Sequence, residues 1–202
     1  MKRYGMMGGT FNPIHLAHLY IEYEAKEVLD LDKVIFMVAG NPPHKKGSPV
    51  IDSKYRYSMV QKAIESYDYF EISDYEINKI GYSYTYETLQ YIKGKENDIE
   101  VFFIAGADSL MDIEKWSNTD LVLANCTFVA FNRGEYTKDM LEEQKMKLEN
   151  KYNANIVLLD IANIDISSSM IRKRIAEEKR VDFFLSKEVL QYINENNLYR
   201  GD

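Results

Sequence analysis

The chain has 202 residues, 46% hydrophobic and 28% charged, with 25 Lys and Arg against 32 Asp and Glu for a net charge of -7. That length suits one domain over residues 1–202, and the acidic balance excludes an extended nucleic-acid surface, which needs a basic face. No apolar run approaches the roughly 20 residues of a membrane helix, and the lone Cys126 cannot form an internal disulfide.

The first residues, Met1-Lys2-Arg3, are followed by an apolar stretch too short and too glycine-broken for a signal peptide. A cytoplasmic, reducing location is therefore expected. Tyr4 to Met7 reads as a buried strand, and Leu19 to Tyr23 has helical spacing, so Gly8-Gly9-Thr10-Phe11-Asn12-Pro13-Ile14-His15-Leu16-Ala17-His18 is a strand-to-helix turn. Paired glycines suit close approach of a ligand, with Asn12 expected as N-cap and Pro13 in the first helical turn. An anion at such a turn would meet the positive end of the helix dipole, beside His15 and His18 on one helix face. All three histidines lie in the first 44 residues, and two occupy this turn.

Val34 to Ala39 reads as a second strand. After it, all four prolines being within the first 49 residues, a stiff loop Asn41-Pro42-Pro43-His44-Lys45-Lys46 can hold Lys45 over a cleft. The pattern continues with a helix over 54–67, a strand over 69–73, a helix over 84–93 and a strand over 101–105. Next come Gly106-Ala107-Asp108 as a post-strand turn and a short helical piece over 121–124. A strand over 127–131 is followed by a polar helix over 138–152 with a solvated face and a strand over 156–159. Helices over 168–178 and 187–194 close the chain.

Alternation of this kind predicts an α/β fold, a Rossmann-like doubly wound parallel sheet with helices on both faces. Ligands bind such sheets at the carboxyl ends of the strands, where the Gly8, Lys45, Gly106 and Ser167 segments all fall. In Ile166-Ser167-Ser168-Ser169-Met170-Ile171-Arg172-Lys173-Arg174, hydroxyls cap a helix. Three cations placed in its early turns would oppose the dipole unless a polyphosphate compensated them.

Together these motifs resemble the nucleotidyltransferase superfamily with a HxGH-type motif, and within it the bacterial nicotinate mononucleotide adenylyltransferases. The resemblance covers essentially the whole chain: the Gly8 to His15 stretch, Asn41 to Lys45, Ser83-Tyr84-Thr85, Gly106-Ala107-Asp108 with Trp116, and Ser167 to Arg172. Ala17 stands where the motif usually has Gly, Asn12 where Asp is common and Ser169 where Thr is usual. Ala17 is expected to add a methyl between the histidines that narrows the approach to the phosphate. Asn132-Arg133-Gly134 loosely resembles the family's Arg-Pro-Gly.

The resemblance implies transfer of the adenylyl group of ATP to nicotinate mononucleotide, giving nicotinate adenine dinucleotide and pyrophosphate for NAD biosynthesis. It implies His15 and His18 on the triphosphate, with Gly8, Gly9, Thr10 and Phe11 around it. Lys45 would hold the attacking phosphate, and Arg172 with Ser167 and Ser168 the departing pyrophosphate. Gly106 and Asp108 would face the nucleoside. Trp116 would stack on the pyridine ring, and Ser83, Tyr84 and Thr85, at a helix start, would receive its carboxylate. Magnesium would ride mainly on ATP phosphates, since the sequence offers no carboxylate cluster for it. A sister enzyme using nicotinamide mononucleotide or phosphopantetheine, or a non-catalytic nucleotide-binding module, would share most of these features. Self-association into a homo-oligomer is left open.

Overall fold

The structure is a computed structural model, and it describes residues 1–40, 50–96, 98–132, 134 and 136–200. Strands β1 (Lys2–Gly9), β2 (Lys33–Val38), β3 (Phe70–Ser73), β4 (Ile99–Gly106), β5 (Thr127–Phe131) and β6 (Asn155–Leu159) form one sheet in the order β3-β2-β1-β4-β5-β6. Every neighbouring pair is parallel. The helices are α1 (Leu16–Val28), α2 (Ser53–Ile64), α3 (Tyr75–Asn78), α4 (Thr85–Lys95), α5 (Ala107–Asp112), α6 (Thr119–Ala124), α7 (Lys138–Tyr152), α8 (Ser168–Ala176) and α9 (Lys187–Glu195).

Side chains alternate across the sheet with the period of two that a strand imposes. Val34, Phe36 and Val38 of β2 join Phe102 and Ile104 of β4 in a core under α1, α2, α8 and α9. Ile35 and Met37 join Val101 and Phe103 in a second core under α4, α5, α6 and α7. Both faces are buried, which is why these strands read as near-continuous apolar runs. Phe36, fully buried, contributes about 2–3 kcal/mol through burial. The strand order reverses between β1 and β4, and the crevice beyond their carboxyl ends is where such sheets bind ligands.

The doubly wound parallel sheet agrees with the sequence reading, and the differences are local. α2 ends at Ile64 rather than 67, and α8 ends at Ala176 because Glu178 turns left-handed at φ 55°. α3 and α5 have no counterpart in the sequence reading. β4 runs directly into α5 with Gly106 as its N-cap, so no turn residues mark the join.

Candidate active site

A cavity of about 500 Å3 opens at the switch point. Its floor is the ends of β1 and β4, including Gly8, Gly9, Ala105 and Gly106, and Thr10, Phe11 and His18 form one wall. Ser83, Tyr84, Thr85, Asp108 and Trp116 complete the lining. Segments as far apart as Gly8 and Trp116 thus meet in one space, of a size typical for small-ligand sites.

The turn from Thr10 to His15 is held from outside by its carbonyls. Arg56 Nη1 donates to the Thr10 carbonyl at 2.8 Å, Arg172 Nη1 to the Asn12 carbonyl at 2.7 Å and Ser168 Oγ to the Pro13 carbonyl at 2.8 Å. Asn12 is 4% exposed, and its Oδ1 accepts from Tyr199 Oη at 2.9 Å. Asn12 is therefore not the N-cap. The helix begins three residues later with His15 as cap, because the Asn12 side chain is turned to Tyr199, and Pro13 precedes the helix instead of lying in its first turn.

Nδ1 of His18 accepts from the His15 amide at 3.2 Å, and the two rings stack at 3.7 Å with 22° between their planes. A ring nitrogen that accepts from an amide carries no proton, so neutral His18 holds its proton on Nε2. The backbone thus fixes His18 as an Nε2–H donor at the cavity wall. His15 is 3% exposed and does not line the cavity, so within the pair His18 is the one that reaches it.

The paired glycines have separate causes. A Cβ on Gly9 would come within 2.7 Å of the Phe11 ring, so that glycine is required by packing of Phe11, itself at φ 48°. A Cβ on Gly8 would meet only Phe103 at 3.9 Å, and this is the glycine that leaves open space toward the cavity. Ala17 is 1% exposed, its methyl buried in the core, so it does not narrow the approach to a phosphate.

On the nucleoside side, Gly106 leaves room for the Asp108 carboxylate, since a Cβ there would fall 2.4 Å from Asp108 Oδ1 and move it. Trp116 leaves a 3-10 turn over Ile113–Lys115, packs edge-on against Phe103 at 6.0 Å, and is locked by Thr119 Oγ1 on its carbonyl at 3.1 Å. Across the cavity Thr85 starts α4, and Glu87 accepts from the Tyr84 amide at 3.4 Å while paired with Lys79. Only part of that helix start remains for an anion. Glu76, whose carboxyl is pushed up mainly by burial, accepts from Thr88 Oγ1 at 2.7 Å in the same wall.

The last motif is brought to the first, with its charges distributed differently from the sequence reading. Ser167 caps α8, accepting from the Met170 amide at 3.2 Å. α8 has nine residues, so Lys173 and Arg174 lie in its last turn, where cations favour the dipole; only Arg172 lies in mid-helix. Ser167, Ser168 and Arg172 do not line the cavity; Ser168 and Arg172 hold the Pro13 and Asn12 carbonyls of the turn whose first residues do. Lys45 and Arg133 lie outside the described residues. Among the described residues no group of three or more His, Cys, Asp and Glu could hold a metal ion.

Sequence reading missed Arg56, Glu76 and Tyr199. Arg56 falls on the buried face of α2 with Met59, Val60 and Ala63, an interval that could have singled it out as a cation at a core position.

Six parallel strands, a glycine-rich turn after the first and a capped helix folded back onto that turn define a nucleotidyltransferase. The chain belongs to the cytidylyltransferase-like family, whose model matches residues 6–174. Its relatives within that class are more specific. A protein of Clostridium botulinum (strain Eklund 17B / Type B) named "Probable nicotinate-nucleotide adenylyltransferase" is 56% identical over 202 residues, covering all of both chains. One of the same name from Clostridium perfringens (strain 13 / Type A) is 48% identical, again over all of both chains. Among solved structures, Plasmodium falciparum nicotinic acid mononucleotide adenylyltransferase complexed with NaAD shares the fold, with a TM-score of 0.80, 19% identity and 98% of each chain covered.

Proposed function

We propose that the chain transfers the adenylyl group of ATP to nicotinate mononucleotide, forming nicotinate adenine dinucleotide and pyrophosphate. The observation that carries this reading is the cavity at the switch point, which is lined together by the Gly8 to Phe11 turn, His18, Ser83 to Thr85 and Trp116. The full-length relatives named for this activity support the choice of acceptor.

The attacking oxygen belongs to the mononucleotide phosphate and is already anionic at neutral pH, so no strong general base is needed. It bonds to the α-phosphorus of ATP as the bond to the bridging oxygen of pyrophosphate breaks. Charge moves onto that leaving oxygen, and the protein's task is positioning and charge stabilisation. His18, held as an Nε2–H donor, serves the oxygens that gain charge, and His15, stacked on it, fixes its orientation. The turn from Gly8 to Phe11 carries the triphosphate. Asp108 accepts from ribose hydroxyls, Trp116 stacks on the pyridine ring, and the start of α4 at Ser83 to Thr85 receives its carboxylate. Lys45 is assigned to the acceptor phosphate. Arg172, with Ser167 and Ser168, acts at the pyrophosphate end while bracing the turn. Magnesium enters with the substrate as MgATP, bound mainly by phosphate oxygens and water. The location is read as cytoplasmic; no helix among the described residues is long and apolar enough to cross a membrane.

Purified protein with ATP, magnesium and nicotinate mononucleotide should release pyrophosphate and form the dinucleotide. The same assay with nicotinamide mononucleotide and with phosphopantetheine tests the acceptor. Faster turnover on either would overturn the assignment of the carboxylate to Ser83 to Thr85.

A further inference from the structure

Arg56 is the largest fully buried side chain among the described residues, at 2% exposed, on the core-facing side of α2. Buried arginine is uncommon and is usually matched by a carboxylate. Here each of its nitrogens goes to a backbone carbonyl: Nε to Ile51 at 3.1 Å, Nη1 to Thr10 at 2.8 Å and Nη2 to Gly40 at 3.4 Å. The acidic groups that act on it, Tyr199 and Asp52, do so through space. Asp52 spends its own side chain on the Lys54 amide at 2.9 Å. Burial disfavours the charged guanidinium, yet an arginine starts so far above neutrality that it stays protonated. The result is a fixed positive charge one peptide behind the wall of the cavity.

We infer that Arg56 is a positioning residue for polyphosphate binding, holding the Thr10 carbonyl on the core side of the turn so that the Phe11 amide faces the opposite side, toward the ligand. The peptide between Thr10 and Phe11 is planar, and in a trans peptide C=O and N–H point in opposite directions. A guanidinium anchored on Ile51 and Gly40 and bonded to the Thr10 oxygen therefore sets the direction of the Phe11 N–H as well. Phe11 is at φ 48°, a conformation that a non-glycine residue keeps only when its surroundings enforce it. The same cation gives the turn a positive field that is already oriented before substrate arrives, the arrangement that favours anion binding without reorganisation. This inference rests on the adenylyltransferase reading for its catalytic consequence, while its binding consequence stands without that reading.

The test uses the full chain with Arg56→Lys and Arg56→Met. Binding of inorganic tripolyphosphate and of adenosine is measured by calorimetry, beside kcat and KM for ATP corrected for the folded fraction. Lysine keeps the charge but cannot reach three carbonyls with a planar fork. In both variants tripolyphosphate should bind about tenfold to a hundredfold more weakly, the size expected for loss of a charged hydrogen bond, while adenosine affinity is unchanged. KM for ATP should rise more than kcat falls. A purely structural Arg56 would lower the folded fraction and leave both affinities of the folded protein at their wild-type values, which would overturn the inference. Should Arg56→Met fail to fold, Arg56→Lys decides alone: wild-type tripolyphosphate affinity in that variant rejects the role. Wild-type protein that binds tripolyphosphate but releases no pyrophosphate from ATP and nicotinate mononucleotide would count against the reaction and not against Arg56.

Discussion

Glu22 offers a perturbation whose sign and size both follow from its surroundings. It sits on α1 one turn after His18, is fully buried, and among the described residues neither of its carboxylate oxygens has a hydrogen-bond partner. Burial alone pushes its carboxyl well above the usual carboxylate range, so the folded protein holds this proton where the unfolded chain releases it. The folded state therefore binds more protons than the unfolded state, and stability falls as pH rises above the unfolded value of about 4.3, until the folded value is reached. Glu22→Met replaces the carboxyl with an apolar chain of similar length. It removes the desolvation of an unsatisfied buried polar group, about 1–3 kcal/mol. For a chain of this size that is a rise in Tm of roughly 2–12 °C. Thermal unfolding of both proteins at pH 5 and pH 8 should show Glu22→Met the more stable, with the larger difference at pH 8. A variant less stable than wild type at both values, or a difference independent of pH, would refute the reasoning.

His18→Ala and His18→Asn should both lower kcat by about tenfold to a thousandfold in the pyrophosphate-release assay, the range for loss of one preorganised donor. Since Asn can still accept from the His15 amide, it should keep wild-type stability while alanine loses some of it. Gly106→Ala should displace the Asp108 carboxylate and raise KM for ATP about as much as Asp108→Ala does, and the double variant should be no worse than either single one. Independent, additive losses would separate the two residues. Cys126 is buried with its thiol pushed up to about 12, chiefly by burial, so the native protein should resist a thiol reagent at pH 8 and react fully once unfolded.

The architecture was legible because its signal is repeated. Each strand of the sheet is buried on both faces and appears as an apolar run, as in Val34 to Val38 or Thr127 to Phe131, and β5 and α7 fall on the residues that the pattern predicts. α3 was not legible, having four residues, too few for a 3.6-residue period to show, and α5, six residues long, follows β4 with no break in the apolar run to mark it. The start of α1 was misplaced for a different reason. Asn12-Pro13 has the composition of a cap, and only the fold reveals that Tyr199, near the far end of the chain, uses the asparagine oxygen.

The candidate site divides the same way. Residues singled out in a local motif, such as Gly8, His18 and Asp108, all line the cavity because spacing in sequence matches adjacency in space over a turn or two. The contacts made from behind the turn were invisible. Arg56, Arg172 and Ser168 come from α2 and α8 to the carbonyls of Thr10, Asn12 and Pro13. Of these, Arg172 and Ser168 were expected on the pyrophosphate, and Arg56 was not expected at all. The common pattern has a physical basis: a turn that must present N–H groups to an anion has to place its carbonyls elsewhere. Carbonyls in a buried turn also need donors. Long side chains from a helix behind the turn satisfy both requirements, and the cationic ones add field of the sign that the ligand needs. The serine–arginine spacing in Ser168 to Arg172, one helical turn, therefore serves the first motif before it serves any ligand. The two motifs act as one unit, so that loosening α8 from the Asn12 and Pro13 carbonyls should disturb the histidine donor at the opposite end of the turn.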